Sequence, residues 1–459
     1  MLNQSSIVGN HNKFYLLQVL QSLTGFTYYI FFRWGRVGDK GMQSIESHCL
    51  EDCKAAFEKK FFDKTKNQWS ELDHFKPVGG KYTYIKMKIS KNDDKKDDKN
   101  KSDKDSKEKQ EQLVPKCTLP DSIQEVLHLL YNIKQFNEEM EEEGLDINKM
   151  PLGELDSSTI TKGYKVLLEI EKVLKNKSKK DLDDLSSEFY TLIPHNFGRR
   201  HMSAFRLDTL IALQKKIDLL SCLSNLKQYS VIEKKNVAST EDPLTVKYNN
   251  LRCSLTPLDP KSKIYDYIIS YANVRGNTHS YLKFKVLNVF AMNRLDEVCN
   301  ITIGNKGTKK LLWHGTQLVN CVSILSRGLL IAPPEATITG HMFGKGVYFA
   351  DIISKSAQYC RASRTYPRCF MLLAEVDTGR ENELIHADYN ANSDLKGFDT
   401  VKGCGSNVPS KWIDYEGVSI PNGPIKHLSE NYDLLYNEYI VYDTNRISLK
   451  YLVEIEFEY

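Results

Sequence analysis

The spacing of apolar positions along the chain changes from alternate residues to helical and back again, and each change predicts a different kind of structure. Phe14 to Leu20 and Tyr28 to Arg33 are rich in aromatic and β-branched residues and predict two strands, followed by turn signals at Trp34-Gly35-Arg36-Val37-Gly38 and Gly41. A helix is expected at about Glu51 to Lys64, with Cys53, Ala56, Phe57 and Phe61 on one face. Tyr82 to Ile89 alternates and predicts a half-buried strand with a basic outer face. Helical spacing dominates from Leu113 to about Pro243. Ser122-Ile123-Gln124-Glu125 has the form of a capping box and opens a helix that ends near Gly144. Three more helices follow, carrying Ile160 to Leu174, Leu182 to Leu192, and about Arg206 to Ile232. From Val246 the alternate spacing returns at Leu282 to Val289, Lys310 to His314, Phe370 to Val376, Tyr436 to Tyr442 and Leu449 to Phe457. The last of these sets apolar residues against mostly charged neighbours, as an antiparallel strand with one buried face does. Long crossover helices between the strands are missing, which excludes a doubly wound parallel sheet and predicts a mixed or antiparallel β core.

The expected fold class is therefore multidomain α+β. It comprises a small α+β domain over 1–90, a charged linker over 91–112, an all-α bundle over 113–243 and a mixed/antiparallel β domain over 246–459. A length of 459 residues fits several cores, since single cores stop growing at roughly 250 to 300 residues. The linker KNDDKKDDKNKSDKDSKEKQEQ has no apolar residue and nearly balanced charge, so it lacks the surface to fold by burial. No run approaches the roughly 18 apolar residues of a membrane span, and the N-terminus lacks the basic and apolar regions of a secretory signal. An intracellular protein with no membrane partner is expected. The ten cysteines have neither CxxC pairs nor zinc-finger spacing, so they predict reduced thiols and no metal. The net charge of +4 is concentrated at the N-terminus, where residues 1–90 hold 13 Lys and Arg against 8 Asp and Glu. That excess points to an anionic partner.

Chemistry is concentrated between Leu311 and Cys360. His314 closes an apolar strand before Gly315, Tyr348 is preceded by Gly344-Lys345-Gly346, and Lys355, Ser356 and Tyr359 follow at helical spacing. Taken singly, His314 reads better as a core histidine, and Ser356 and Tyr359 read also as residues of one packed helix face. The Gly344–Gly346 pair does not open a helix, so it is not a dinucleotide-fold fingerprint. Glu438 is the anomaly. A carboxylate in register with Ile440 on an apolar strand face needs a partner or a function.

Trp313 to Cys360, with its runs IAPPEA, FGKG, YFAD and SKSA, together with LLYNEYIVYD at Leu434 to Asp443, closely resembles the catalytic domain of the poly(ADP-ribose) polymerases. Met150-Pro151-Leu152-Gly153 and Phe189 to His195 resemble that family's helical regulatory domain. Trp34-Gly35-Arg36, with Lys64 to Trp69 after the helix, resembles the WGR domain. The order is that of the short DNA-dependent members. The resemblance implies a nuclear enzyme of the DNA damage response, activated by DNA strand breaks. It would transfer ADP-ribose from NAD+, its substrate, to itself and to other acceptor proteins, chromatin proteins among them, without a metal. It implies a catalytic triad of His314, Tyr348 and Glu438. It places NAD+ contacts at His314, Gly315, Thr316, Tyr348, Phe349, Lys355, Ser356 and Tyr359, and DNA contacts at Trp34, Arg36 and Arg33. His314 would bond the ribose, Gly315 and Ser356 the carboxamide, and Tyr359 would stack on the nicotinamide opposite Tyr348. The Ala332 to Gly346 loop would cover the donor site, and the bundle would obstruct NAD+ until DNA binding destabilises it. Leu220, Ser224 and Leu330 depart from the family pattern near the adenosine, with Asp218 out of phase. The alternatives are a mono-ADP-ribosyltransferase of the same type and an inactive break-binding scaffold. Lys101-Ser102 in the linker has the form favoured for serine modification.

Overall fold

A computed structural model describes residues 1–87, 117–142, 144–145, 155–175, 182–235, 241–274, 283–295, 297, 308–331, 342–393, 395–428 and 431–459. The charged linker with Lys101-Ser102, the Met150–Gly153 motif and 332–341 of the donor-site loop lie outside the described residues. The chain divides into two compact units, one built on 1–113 and 136–227, the other on 114–135, 228–333 and 340–459.

The first unit begins with β1 (Leu2–Ser6), β2 (His11–Gln21), β3 (Tyr28–Arg36), β4 (Met42–His48), α1 (Leu50–Thr65) and β5 (Thr83–Tyr84). The strands form one antiparallel sheet in the order β4-β3-β2-β1-β5. Trp34-Gly35-Arg36 ends β3 and is not part of the turn, because Trp34 pairs with both Tyr15 and Met42. Among the described residues of the expected Tyr82–Ile89 strand, Thr83–Tyr84 pair as a strand and Met87 bridges to Leu155, while 88–89 lie outside the described residues. Helix α1 buries Cys53 and Phe61 against Leu2, Tyr15, Ile30 and Phe32. It stops where Lys66 turns left-handed at φ 61° and donates its N–H to Phe62 O.

The helices that follow are α2 (Asp121–Leu130), α3 (Ile133–Glu142), α4 (Ser157–Lys175), α5 (Leu182–Leu192) and α6 (Leu210–Lys235). The single helix expected from Ser122 to Gly144 is two, broken at Tyr131-Asn132. Ser122 is not its cap: α2 starts after Pro120, without a side-chain capping bond. The last helix begins at Leu210, since Arg206 and Leu207 precede it and Arg206 forks onto Asp183 at 2.6 and 2.9 Å. Helix α5 ends as expected before Pro194. Its orphan C-terminal carbonyls are taken by β1: Asn3 Nδ2 donates to Tyr190 O at 3.0 Å and to Thr191 O at 2.9 Å. Asn12 Nδ2 adds a bond to His195 O at 2.8 Å. Buried polar bonds thus join this sheet to the helices.

In the second unit α2 is followed by α7 (Pro243–Asn250), β6 (Cys253–Pro257), α8 (Lys263–Asn273), β7 (Lys283–Arg294), β8 (Lys309–Gly315), α9 (Leu318–Arg327), β9 (Val347–Phe349) and α10 (Ile353–Ala357). The strands continue with β10 (Arg368–Asp377), β11 (Glu381–Leu384), β12 (Thr400–Gly403), β13 (Gly405–Tyr415), β14 (Val418–His427), β15 (Leu434–Tyr436), β16 (Glu438–Val441) and β17 (Ile447–Glu458). An eight-stranded sheet runs β15-β13-β14-β8-β10-β17-β7-β6, and a four-stranded sheet runs β11-β12-β16-β9. Most neighbours are antiparallel, with parallel pairs at β13–β15, β14–β8 and β11–β12.

Both faces of the large sheet are covered. On β10, Phe370, Leu372, Ala374 and Val376 enter one core with α2 and α9, while Cys369, Met371 and Leu373 enter another with α8 and α10. The one-sided reading of Leu449 to Phe457 is therefore corrected: Leu452 and Glu454 on the other face are buried too. Glu454 is tolerated there because Arg368 and Asn288 bond it. The strand expected from Tyr436 to Tyr442 is also two, interrupted at Asn437, where the chain leaves the large sheet for the small one.

Candidate active site

The end of β8 places His314 and Gly315, and a reciprocal backbone pair, each N–H to O at 2.9 Å, ties the preceding Trp313 to Ala350 just beyond β9. Strand β9 in turn pairs with β16, Tyr348 opposite Ile440 and Phe349 opposite Tyr439. Backbone pairing thus brings together the strand ends that carry His314, Tyr348 and Glu438. The short helix α10 then packs on β8 so closely that a Cβ on Gly315 would lie 1.8 Å from Ser356 O, which explains the glycine. Ser356, buried, donates its hydroxyl to Trp313 O at 3.1 Å.

His314 Nδ1 lies 2.9 Å from Tyr348 O. A carbonyl can only accept, so Nδ1 carries the proton and Nε2 presents a lone pair. Burial lowers the His314 pKa, only partly opposed by that bond, so the ring is neutral at physiological pH. The Tyr348 hydroxyl is engaged on both sides, accepting from Phe343 N at 3.0 Å and donating to Gly344 O at 2.8 Å. It therefore fastens the Phe343–Gly344 loop and leaves its ring as the chemical surface. Thr316 accepts from Asn320 Nδ2 at 3.1 Å. Phe349 lies in the core with its ring 5.7 Å from that of His314, a packing position. Tyr359 is the opposite case, a large ring left 53% exposed at the end of the same segment.

Glu438, the first residue of β16, is 8% exposed, and its Oε1 sits 2.7 Å from Lys355 Nζ. Burial would lower the Lys355 pKa, but the Glu438 carboxylate reverses this and holds it above its ordinary value. Lys355 is therefore charged at neutral pH. Sequence reasoning found both residues but not their pairing. It missed Asp351 and Asn437 altogether, a fully buried carboxyl and amide joined by Asn437 Nδ2 to Asp351 Oδ2 at 2.7 Å. Their signal was present as an Asp closing the apolar run Val347 to Ala350 and an Asn directly before the glutamate.

In the other unit Trp34 stacks on Tyr15, with centroids 5.7 Å apart and planes 12° apart. Lys64 lies over the Tyr15 ring at 4.8 Å and Lys13 over Tyr82 at 5.5 Å. Burial and the neighbouring Lys60, Lys13 and Lys81 lower the Lys64 pKa, the mark of a positive cluster. Arg33 Nε donates to Lys40 O at 3.0 Å, while Arg36 donates to the carbonyls of Gly198 and Arg200 at 2.6 and 3.2 Å. Of the three predicted DNA contacts, Arg36 is thus committed to the helical segment. Leu220 is buried, within packing reach of Gly163, and Asp218 accepts from Gln214 at 2.8 Å. Leu330 is 60% exposed.

A mixed β core of two sheets brings the strand ends that carry His314, Tyr348 and Glu438 together where the sheets meet. The chain belongs to the poly(ADP-ribose) polymerase family. It matches that family's catalytic domain over residues 262–457 and its regulatory domain over 117–248, and it matches the WGR domain over 1–76. It is 38% identical to poly [ADP-ribose] polymerase 2-A of Oryza sativa subsp. japonica, over all of this chain and 70% of the rice protein. It is 37% identical to poly [ADP-ribose] polymerase 2 of Homo sapiens, over all of this chain and 79% of the human protein. It is 36% identical to poly [ADP-ribose] polymerase of Drosophila melanogaster, over all of this chain and 46% of that protein. The catalytic domain takes NAD+ as its substrate, so the chain is an ADP-ribosyltransferase of the polymerase-2 type. Among the described residues no helix is long and apolar enough to cross a membrane.

Proposed function

We propose that this enzyme is activated by DNA strand breaks and builds poly(ADP-ribose) on itself and on chromatin proteins in the nucleus. The observation that carries the chemical reading is Glu438, a buried carboxyl group 2.7 Å from Lys355 Nζ at the edge where β8, β9 and β16 converge. Cleaving the nicotinamide–ribose bond develops oxocarbenium character, and an anion near the ribose hydroxyls favours that transition state over the ground state. The same carboxylate can polarise an incoming hydroxyl, which chain extension requires. His314 Nε2, as the lone-pair side of a neutral ring, suits a ribose hydroxyl donor. The Gly315 backbone and the Ser356 hydroxyl suit a carboxamide, and the exposed ring of Tyr359 suits stacking on nicotinamide. Departure of nicotinamide leaves ADP-ribose to be captured by the acceptor oxygen, whose proton passes to Glu438.

Two features support DNA control. The positive cluster around Tyr15, Trp34 and Tyr82 suits phosphates beside a stacking surface. The Arg36 and Asn3 bonds to residues 190–200 offer a direct path from that surface to the helices. In this reading, DNA binding loosens the helices that otherwise obstruct NAD+, a local-unfolding switch. The test is incubation with labelled NAD+, with and without nicked DNA, for wild type and Glu438→Gln. Long polymer from wild type only with DNA, and none from Glu438→Gln, is the expected result. Single additions in wild type would assign the mono-transferase, and polymer from Glu438→Gln would refute the role of Glu438. Equal hydrogen exchange across 206–232 with and without DNA would refute the switch.

A further inference from the structure

Glu438 occupies an unusual place in the fold. Two adjacent chain segments cross from one sheet to the other side by side. One passes from β12 to β13 at Cys404, the other from β15 to β16 at Asn437. They approach so closely at the crossing that a Cβ on Gly405 would lie 2.3 Å from the Tyr436 carbonyl carbon. Glu438 is the first residue beyond the crossing, at the end of its ladder opposite Gly403, and the Asn437 step that leads into it lies in neither ladder.

One buried side chain closes this gap. Asp351 Oδ2 accepts from Asn437 Nδ2 at 2.7 Å and from the Tyr439 hydroxyl at 3.1 Å, the residues on either side of Glu438. Asn437 in turn accepts from Gly405 N at 2.8 Å, tying in the second crossing segment. Asp351 also stands two residues before α10, which carries Lys355, the ion partner of Glu438. The Asp351 bonds and the Lys355–Glu438 pair therefore brace one short stretch of β16 from two points on one segment. A fully buried carboxyl held by two neutral donors on one oxygen, with its other oxygen unpartnered, is a poor stabilising element by itself.

We propose that Asp351 is a positioning residue for Glu438, holding residues 437–439 so that the carboxylate faces the reacting ribose. This rests on the reading of Glu438 given above. The effect works through hydrogen bonds to a single oxygen, so an asparagine, whose carbonyl can accept the same two bonds, should preserve it.

The full-length chain is assayed with nicked DNA and labelled NAD+ for wild type, Glu438→Gln, Asp351→Ala, Asp351→Asn and Tyr439→Phe, with kcat and KM measured separately. Asp351→Ala should lose about 10- to 100-fold in kcat, the scale of a misplaced catalytic group, with KM for NAD+ within about twofold. Asp351→Asn should recover to within about threefold of wild type, and Tyr439→Phe, which deletes one bond without volume, should lose roughly 3- to 10-fold. A wild-type kcat in Asp351→Ala, a loss confined to KM, or an Asn variant as impaired as the Ala variant would overturn the proposal. If Asp351→Ala does not fold, Asp351→Asn and Tyr439→Phe decide: full activity in Tyr439→Phe overturns it. A collapsed Glu438→Gln beside an unaffected Asp351→Ala refutes the positioning role alone. Wild-type turnover in Glu438→Gln refutes the role of Glu438 and this inference with it.

Discussion

Replacing Asp351 by asparagine should make the protein more stable at neutral pH, and the gain should vanish in acid. Burial raises the Asp351 pKa from 3.8 to about 6, against the opposing bonds from Asn437 and Tyr439 and the charge of Lys402. Lys310, Tyr271 and Cys404 also feel the carboxylate; burial lowers the Lys310 pKa to about 8 and raises those of Tyr271 and Cys404. A folded pKa above the unfolded one means stability that is complete below 3.8 and lost as pH rises through about 6. The shift corresponds to roughly 3 kcal/mol of destabilisation above pH 7, at about 1.36 kcal/mol per pKa unit. Asparagine removes that ionisation cost, and the bonds to the ionised carboxylate are already contained in the shift. The net gain is about 3 kcal/mol, or roughly 6 to 12 °C for a unit of this size. At pH 5 the wild-type carboxyl is mostly protonated and has regained nearly half of the loss, so the difference should fall to about 1.5 kcal/mol. Calorimetric melts of both full-length proteins at pH 8 and pH 5 provide the assay. A difference that does not change between the two pH values, or an asparagine variant less stable at pH 8, refutes the reasoning.

Gly315→Ala forces a methyl into Ser356 O and should cost about 3 kcal/mol or more while abolishing transfer, read by melting and by NAD+ incorporation. Tyr348→Phe frees Phe343 N and Gly344 O, so limited proteolysis should cut near these residues at lower protease concentration, with a stability loss of about 1 to 2 kcal/mol. His195 is fully buried, held neutral by burial and by the charge of Lys216. Its folded pKa lies well below the unfolded 6.5, so its stabilising contribution is complete above 6.5 and lost as pH falls. Melting of the unit containing His195 should therefore drop below about pH 6.5, and His195→Gln should flatten that slope.

The strands were legible where one periodicity ran unbroken. Phe370 to Val376 and Lys310 to His314 read directly because both faces of their sheet are apolar. The acidic positions of β17 misled, since Glu454 looked solvent-facing and is instead neutralised by Arg368, eighty-six residues away. The break between α2 and α3 was hidden by continuous apolar spacing, although Asn132, which accepts from Gln135 N at 3.1 Å, carried the signal of a new helix start. Glu438 was visible because a carboxylate among Tyr436, Tyr439 and Ile440 violates the pattern. Lys355 and Asp351 were not visible as its supports, because the contacts depend on how the segment from Asp351 through α10 packs beside β8. That arrangement is set by the close approach at Gly315, which spacing along the chain does not encode.

The crossing at Asn437 also bears on how the enzyme assembles. His314 belongs to the large sheet and Tyr348 and Glu438 to the small one, so the three meet only once both sheets exist. Such distant pairings carry the largest loop-closure entropy and form late. During refolding from denaturant, tryptophan burial at Trp313 should precede the return of transferase activity, and a lag between the two would time the meeting of the sheets.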